Sequence, residues 1–137
     1  SHSVPAGYFL TRKPSYSGND EKIISSKASE EMTRMLVEFV DKALLGGTVK
    51  NKDYSIAAKT GTAQMAKEDG RGYYEDRYLH SFFGYFPAYD PRFLVFLYTV
   101  NPKGVNYASH TLTYPFMRIT SFLLNYYQIP PDRSPKQ

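Results

Sequence analysis

Apolar residues recur at helical spacing between Lys27 and Leu45. Ala28, Met32, Met35, Leu36, Phe39, Val40, Ala43 and Leu44 form one stripe, which predicts an amphipathic helix with its methionines in the core. Ser26 stands where a hydroxyl can cap the first turn, Glu30 and Glu31 suit the positive end of the helix dipole, and Gly46-Gly47 stop it. The period then changes. Strands are predicted at about Tyr54–Met65, His80–Phe86 and Phe93–Val100, the second closed by Pro87. The unbroken Phe-Leu-Val-Phe-Leu-Tyr-Thr-Val run of the third suits a strand buried on both faces, and Asp90-Pro91 predicts a tight turn joining an antiparallel pair. Residues 66–79 are polar and contain glycine, which predicts a mobile loop able to fold over the end of the first strand. A second helix, about Leu112–Tyr126, carries Phe116, Ile119, Phe122, Leu123 and Tyr126 on its packing side, with Pro115 in its first turn. Tyr8–Thr11 has the make-up of a short strand, and Pro130–Gln137 reads as a disordered tail. An antiparallel sheet of three strands with helices packed on it is an α+β unit.

Composition narrows the function classes. With 137 residues, 42% of them hydrophobic, the chain can fold as one small unit. Thirteen Tyr and nine Phe are many for this size, and predict either a dense core or aromatic surfaces that another part of a larger domain covers. The net charge of +4 comes from basic residues scattered among Asp and Glu, so a solvated surface is favoured over a nucleic-acid interface. The absence of cysteine excludes a disulfide framework and a thiolate site. No apolar stretch approaches the ~20 residues that cross a bilayer, and no signal peptide opens the chain. Residues 1–3 read as a cloning remnant.

Candidate chemistry sits in the first strand, at Lys59-Thr60-Gly61-Thr62. The period of a strand puts Lys59 and Gly61 on one face and Thr60 and Thr62 on the other, with backbone N–H groups along the edge. A cation, two hydroxyls and free amides suit a carboxylate-bearing peptide added as a further strand. Gly61, lacking a Cβ, lets another chain or a neighbouring side chain approach. The bland readings are a solvated lysine on an edge strand and threonines serving as ordinary β-formers. Gln64 reads as strand surface, and His80 and His110 as structural residues. No His or carboxylate spacing suggests a metal site, and no cofactor is implied.

The longer context carries a family resemblance. Ile56-Ala57-Ala58-Lys59-Thr60-Gly61-Thr62-Ala63-Gln64 resembles the third motif of penicillin-binding proteins, whose site combines S-x-x-K, S-x-N and K-T-G. Ser81-Phe82-Phe83-Gly84-Tyr85-Phe86-Pro87-Ala88, Asp90-Pro91-Arg92-Phe93 and Asn101-Pro102-Lys103-Gly104 resemble the strand, turn and strand that follow it in the class B, monofunctional enzymes. The ending Tyr126-Tyr127-Gln128-Ile129-Pro130-Pro131-Asp132 is similar to the close of the septal, cell-division type. The resemblance spans roughly residues 20–132 and makes 4–129 the C-terminal portion of a transpeptidase domain of the penicillin-binding-protein and serine β-lactamase fold. It implies a five-stranded sheet with the K-T-G strand at one edge, two strands and a serine-bearing helix lying upstream.

That resemblance also implies a chemistry. A serine activated by its own motif's lysine attacks the peptide bond between two terminal D-alanines of a peptidoglycan stem peptide, and an amine from another stem resolves the acyl-enzyme into a cross-link. Lys59 then keeps the site positive, Thr60 and Thr62 hold the terminal carboxylate beside Gly61, and the Thr62 N–H supplies half the oxyanion hole. β-Lactams use the same contacts. The intact protein is expected on the outer side of a bacterial cytoplasmic membrane, anchored by an upstream segment. No serine here has a lysine three positions later, and Ser17-Gly18-Asn19 reads as a turn, so the nucleophile lies outside this chain and the chain alone is expected to be inactive. A non-catalytic module that grips a peptide end or a partner strand with the same edge is the alternative. The truncated sheet also invites self-association.

Overall fold

Helix α1 runs Ser26–Glu38, and its cap is Ser25 rather than Ser26. Ser25 has the extended backbone a cap requires, and its hydroxyl accepts the Ala28 N–H at 3.1 Å. In the computed structural model residues 23–133 are described; residues 1–3, the Tyr8–Thr11 strand and the Ser17-Gly18-Asn19 turn lie outside them. Beyond Glu38 the helix widens into a π-turn, Phe39–Ala43, and then tightens into a 3-10 turn, Leu44–Gly47. Leu45, Gly46 and Gly47 all take positive φ there, so the glycines stop the helix as expected, with Leu45 sharing the left-handed turn.

Three strands follow: β1 (Ala57–Ala66), β2 (Tyr73–Phe86) and β3 (Phe93–Val100), antiparallel in the order β1-β2-β3. The expected loop at 66–79 is mostly strand. β2 begins at Tyr73, and Tyr73, Tyr78 and Leu79 pair with Ala66, Gln64 and Ala63 of β1 across a register shift, so the loop shrinks to Lys67–Gly72, closed by Lys67 N–H to Gly72 C=O and Gly70 N–H to Lys67 C=O, both at 3.0 Å. This outer ribbon is wet on both faces, so it shows no apolar alternation from which a strand can be read.

Register divides the sheet into two faces. Thr60, Phe82 and Leu97 stand in one row, flanked by the rows Ala58, Gly84, Val95 and Thr62, His80, Thr99. Helix α2 (Ala108–Tyr126) covers this face, its Phe116 ring 4.5 Å from Phe82 and 6.0 Å, edge-on, from Phe86. Gly84 is required here, because a Cβ would lie 2.5 Å from the Phe116 ring and 2.9 Å from both Ala57 O and Ala58 Cβ.

The packing stripes differ from those expected. α2 starts four residues early, which moves Pro115 out of the first turn into the helix interior, and it buries Leu112, Phe116, Thr120 and Leu124. Phe122 and Tyr126 are exposed and stack on each other instead. Apolar residues surround much of α2, so periodicity alone did not single out the row the sheet uses. On α1 the buried row is Thr33, Val37, Val40 of the π-turn and Leu44 beyond it, while Met32 and Met35 are exposed.

The second face carries Ala57, Lys59, Gly61, Phe83 and Tyr85 with Leu94, Phe96, Tyr98 and Val100. α1 covers only one corner of it: Val37 packs in a cluster with Ala57 and Ala88, and Thr33 Oγ1 is hydrogen-bonded to the Tyr85 hydroxyl at 2.7 Å. Leu94, Phe96, Tyr98 and Val100 are each more than half exposed. β3 is thus half-buried on its α2 face and exposed on the other, not buried on both.

The expected disordered tail is ordered through Arg133. Asp132 accepts from the Ser55 N–H at 2.7 Å and from the Ser55 hydroxyl, which itself accepts the Ala88 N–H at 2.8 Å. Arg133 donates to Asn51 C=O and to the Asp41 carboxylate, both at 2.7 Å. Polar composition suggested disorder, but these polar groups have partners fixed by the fold.

Candidate active site

The edge of β1 can be built from the hydrogen-bond ladder. Successive residues of an antiparallel strand turn their N–H and C=O to opposite sides. Asn101 N–H donates to Tyr78 C=O at 2.7 Å and Arg92 N–H to Phe86 C=O at 3.1 Å, so even-numbered residues of β2 face β3 and odd-numbered ones face β1. Ser81 and Phe83 stand opposite Gly61 and Lys59. Lys59 and Gly61 are therefore tied into the sheet. Thr60 and Thr62 turn their backbone N–H and C=O to the other side, the edge of the sheet that is open among the described residues.

Side chains complete that edge. Lys59 is exposed, and its ammonium bends back to donate to the Thr60 carbonyl at 3.0 Å, where it also lies 4.8 Å from the centroid of the Phe39 ring. Gly61 sits under Ser81: a Cβ on it would fall 2.5 Å from Ser81 Oγ, so the neighbour needing the space is a side chain of the adjacent strand. The Thr62 hydroxyl accepts the Ala108 N–H at 3.1 Å, which ties the start of α2 to the edge strand and leaves the hydroxyl hydrogen to donate elsewhere.

Opposite Thr62, His80 is fully buried and hydrogen-bonded through Nδ1 to Thr111 Oγ1 at 2.9 Å. The Thr111 hydroxyl donates to Ala108 C=O at 3.2 Å, so the imidazole Nδ1–H is the donor in this pair, and Nε2 has no hydrogen-bond partner among the described residues. This histidine braces α2 beneath the edge strand, as a structural residue would. His110 and Gln64 are distant from such a role, one on α2 and the other exposed on β1.

Lys59, Thr60, Gly61 and Thr62 are thus brought onto one edge, with Lys59 and Gly61 on one face and the two threonines on the other. Chemically, the edge offers a cation, hydroxyl donors and two outward N–H groups to an extended anionic peptide. Phe39 and Ser81 were not legible as neighbours of it. Phe39 lies 20 residues upstream inside a helical stripe, and Ser81 becomes a neighbour only through register.

Comparison with known proteins gives a consistent result. The family model for the penicillin binding protein transpeptidase domain matches residues 12–120. Stage V sporulation protein D of Bacillus subtilis (strain 168) is 35% identical over 92 residues, 65% of this chain and 14% of that protein. Peptidoglycan D,D-transpeptidase FtsI of Escherichia coli (strain K12) is 34% identical over 108 residues, 75% of this chain and 18% of that protein. Among solved structures, the apo transpeptidase domain of penicillin-binding protein 3 from Burkholderia pseudomallei is 30% identical with a TM-score of 0.58, covering 78% of this chain and 32% of its own. Penicillin-binding protein 3 from Mycobacterium tuberculosis, complexed with ampicillin, shares the fold with a TM-score of 0.65 at 24% identity, over 83% of this chain and 27% of its own. The chain spans a fifth or less of the length of the curated relatives it matches.

Proposed function

The chain belongs to the transpeptidase-domain family of the class B penicillin-binding proteins, and from that premise we propose that β1 is the substrate-binding and oxyanion strand of a serine-type peptidoglycan D,D-transpeptidase. The observation that carries this reading is the placement of the Thr60 and Thr62 N–H groups on the open edge of β1 beside the Lys59 ammonium.

A stem peptide ending in D-Ala-D-Ala lies along that edge as an added strand. The hydroxyls of Thr60 and Thr62 and the field of Lys59 hold its terminal carboxylate, charge-assisted bonds being the stronger class. The serine, supplied by a segment outside this chain, attacks the carbonyl carbon of the penultimate residue. The carbonyl oxygen takes the negative charge, and the Thr62 N–H donates to it without having to move, which is where a preorganised dipole contributes most. Collapse of that intermediate breaks the C–N bond and releases D-alanine with the proton it needs. The amine of a second stem then displaces the serine from the acyl-enzyme, forming the cross-link and returning the proton. A β-lactam enters the same path, its carboxylate in the place of the substrate's.

FtsI-named relatives favour a role in cell division, and a peptidoglycan substrate calls for a domain on the cell-wall side of the membrane. Among the described residues no helix is long and apolar enough to cross a membrane, so an anchor in this reading belongs to another segment.

The test removes single atoms from β1 in the full-length protein. Replacing Thr62 by its α-hydroxy acid exchanges the N–H for an ester oxygen and is expected to slow acylation by penicillin about 10²- to 10³-fold. Lys59→Ala is expected to slow it at an unchanged unfolding midpoint, since an exposed charge contributes at most about 1 kcal/mol to stability. Lys59→Arg should recover part of the rate, its planar fork having a different reach. Acylation at the normal rate in both the ester variant and Lys59→Ala would sink the proposal.

A further inference from the structure

We infer that Phe39 is a positioning residue for Lys59: its ring, presented by the π-turn, holds the ammonium at the edge of β1 before substrate arrives. This rests on the reading of β1 given above and extends it to a residue outside the K-T-G motif. A lysine on an exposed strand edge samples many rotamers, and a ligand that needs the ammonium in one place must first select among them. Here two contacts narrow the choice, the Thr60 carbonyl at 3.0 Å and the face of Phe39 at 4.8 Å. The second lies inside the distance at which a ring quadrupole attracts a cation.

The ring is placed by an irregularity in the chain. Continued α-helix would bond the Leu44 N–H to Val40 C=O; it bonds instead to Phe39 C=O, which inserts one extra residue into the turn. Such π-turns concentrate at functional sites. This one is fixed from the far side. Asp41, within the turn, is bonded to Arg133 at 2.7 Å and lies 3.8 Å from the Lys50 ammonium. Behind Phe39 the turn is seated by Val40, fully buried in the core shared with Ile56, Ala58 and Phe82. The platform is therefore anchored through Asp41 and Val40, while the lysine on it is exposed.

The experiment uses the full-length protein with Phe39 replaced in turn by 4-fluoro-, 3,4,5-trifluoro- and pentafluorophenylalanine. These keep the shape of the ring and progressively remove the negative face. The second-order rate of acylation by a carboxylate-bearing penicillin should fall stepwise, about two- to fivefold across the series, with the unfolding midpoint unchanged. In a Lys59→Ala background the same series should be flat. Phe39→Leu should resemble the pentafluoro variant, and Phe39→Tyr should restore the rate. A flat series beside an intact Lys59, where Lys59→Ala itself is slow, overturns this inference and leaves the role of β1 standing. If Lys59→Ala acylates normally, the ring has no ammonium effect to act through and this inference fails; the reading of the edge strand fails as well only if the Thr62 ester variant is also unimpaired.

Discussion

The two faces of the sheet are made of the same kinds of residue and have opposite surroundings. On the α2 side, Phe82, Gly84, Phe86 and Phe116 are buried and packed until not even a methyl group fits at Gly84. On the other, Phe96, Tyr98, Leu94 and Val100 are left more than half exposed, on the face that also carries Lys59 and Gly61 two strands away. The difference separates two jobs. The closed face supplies the cohesion that keeps β1 in register, whereas the open one presents apolar surface and the Lys59 side chain in the same direction.

That contrast can be broken from the closed side first. Phe116→Ala should cost about 3–5 kcal/mol, read as a large drop in the unfolding midpoint, because the ring touches both Phe82 and Phe86 and little can collapse into its place. Gly84→Ala should cost less, about 1–3 kcal/mol, since it adds one carbon where the Phe116 ring, Ala57 O and Ala58 Cβ all stand too close. Phe96→Ser with Tyr98→Ser on the open face should move stability by no more than about 0.5 kcal/mol each, while lowering binding of an apolar dye and self-association in sedimentation. A large stability loss from the open-face pair would mean that the two faces do not divide the work in this way.

The same contrast explains what the sequence disclosed. The α+β class, the antiparallel order of strands and the division of Lys59, Thr60, Gly61 and Thr62 between faces all follow from period and turn chemistry, which are local. β3 reads as buried on both faces because Leu94, Phe96 and Tyr98 are apolar whether or not anything covers them. An apolar residue marks a surface suited to cover, and the cover itself is not written in the strand. Met32 and Met35 misled for the same reason. Ser55 with Asp132 and Asp41 with Arg133 are pairs 77 and 92 residues apart, so no local pattern announces them. Of the candidate site, the four K-T-G-T residues stand out in the sequence, whereas the Phe39 ring beside Lys59 needed the π-turn to be seen.

The apolar pattern stops at Ile129, and a boundary drawn there would seem natural for a truncated protein or for attaching a tag. It would remove Asp132 and Arg133, stranding the Ser55 N–H at the root of the K-T-G strand and releasing Asp41 beneath the π-turn. Polar residues set beyond the core thus hold the approach to β1, and any cut should fall after Arg133.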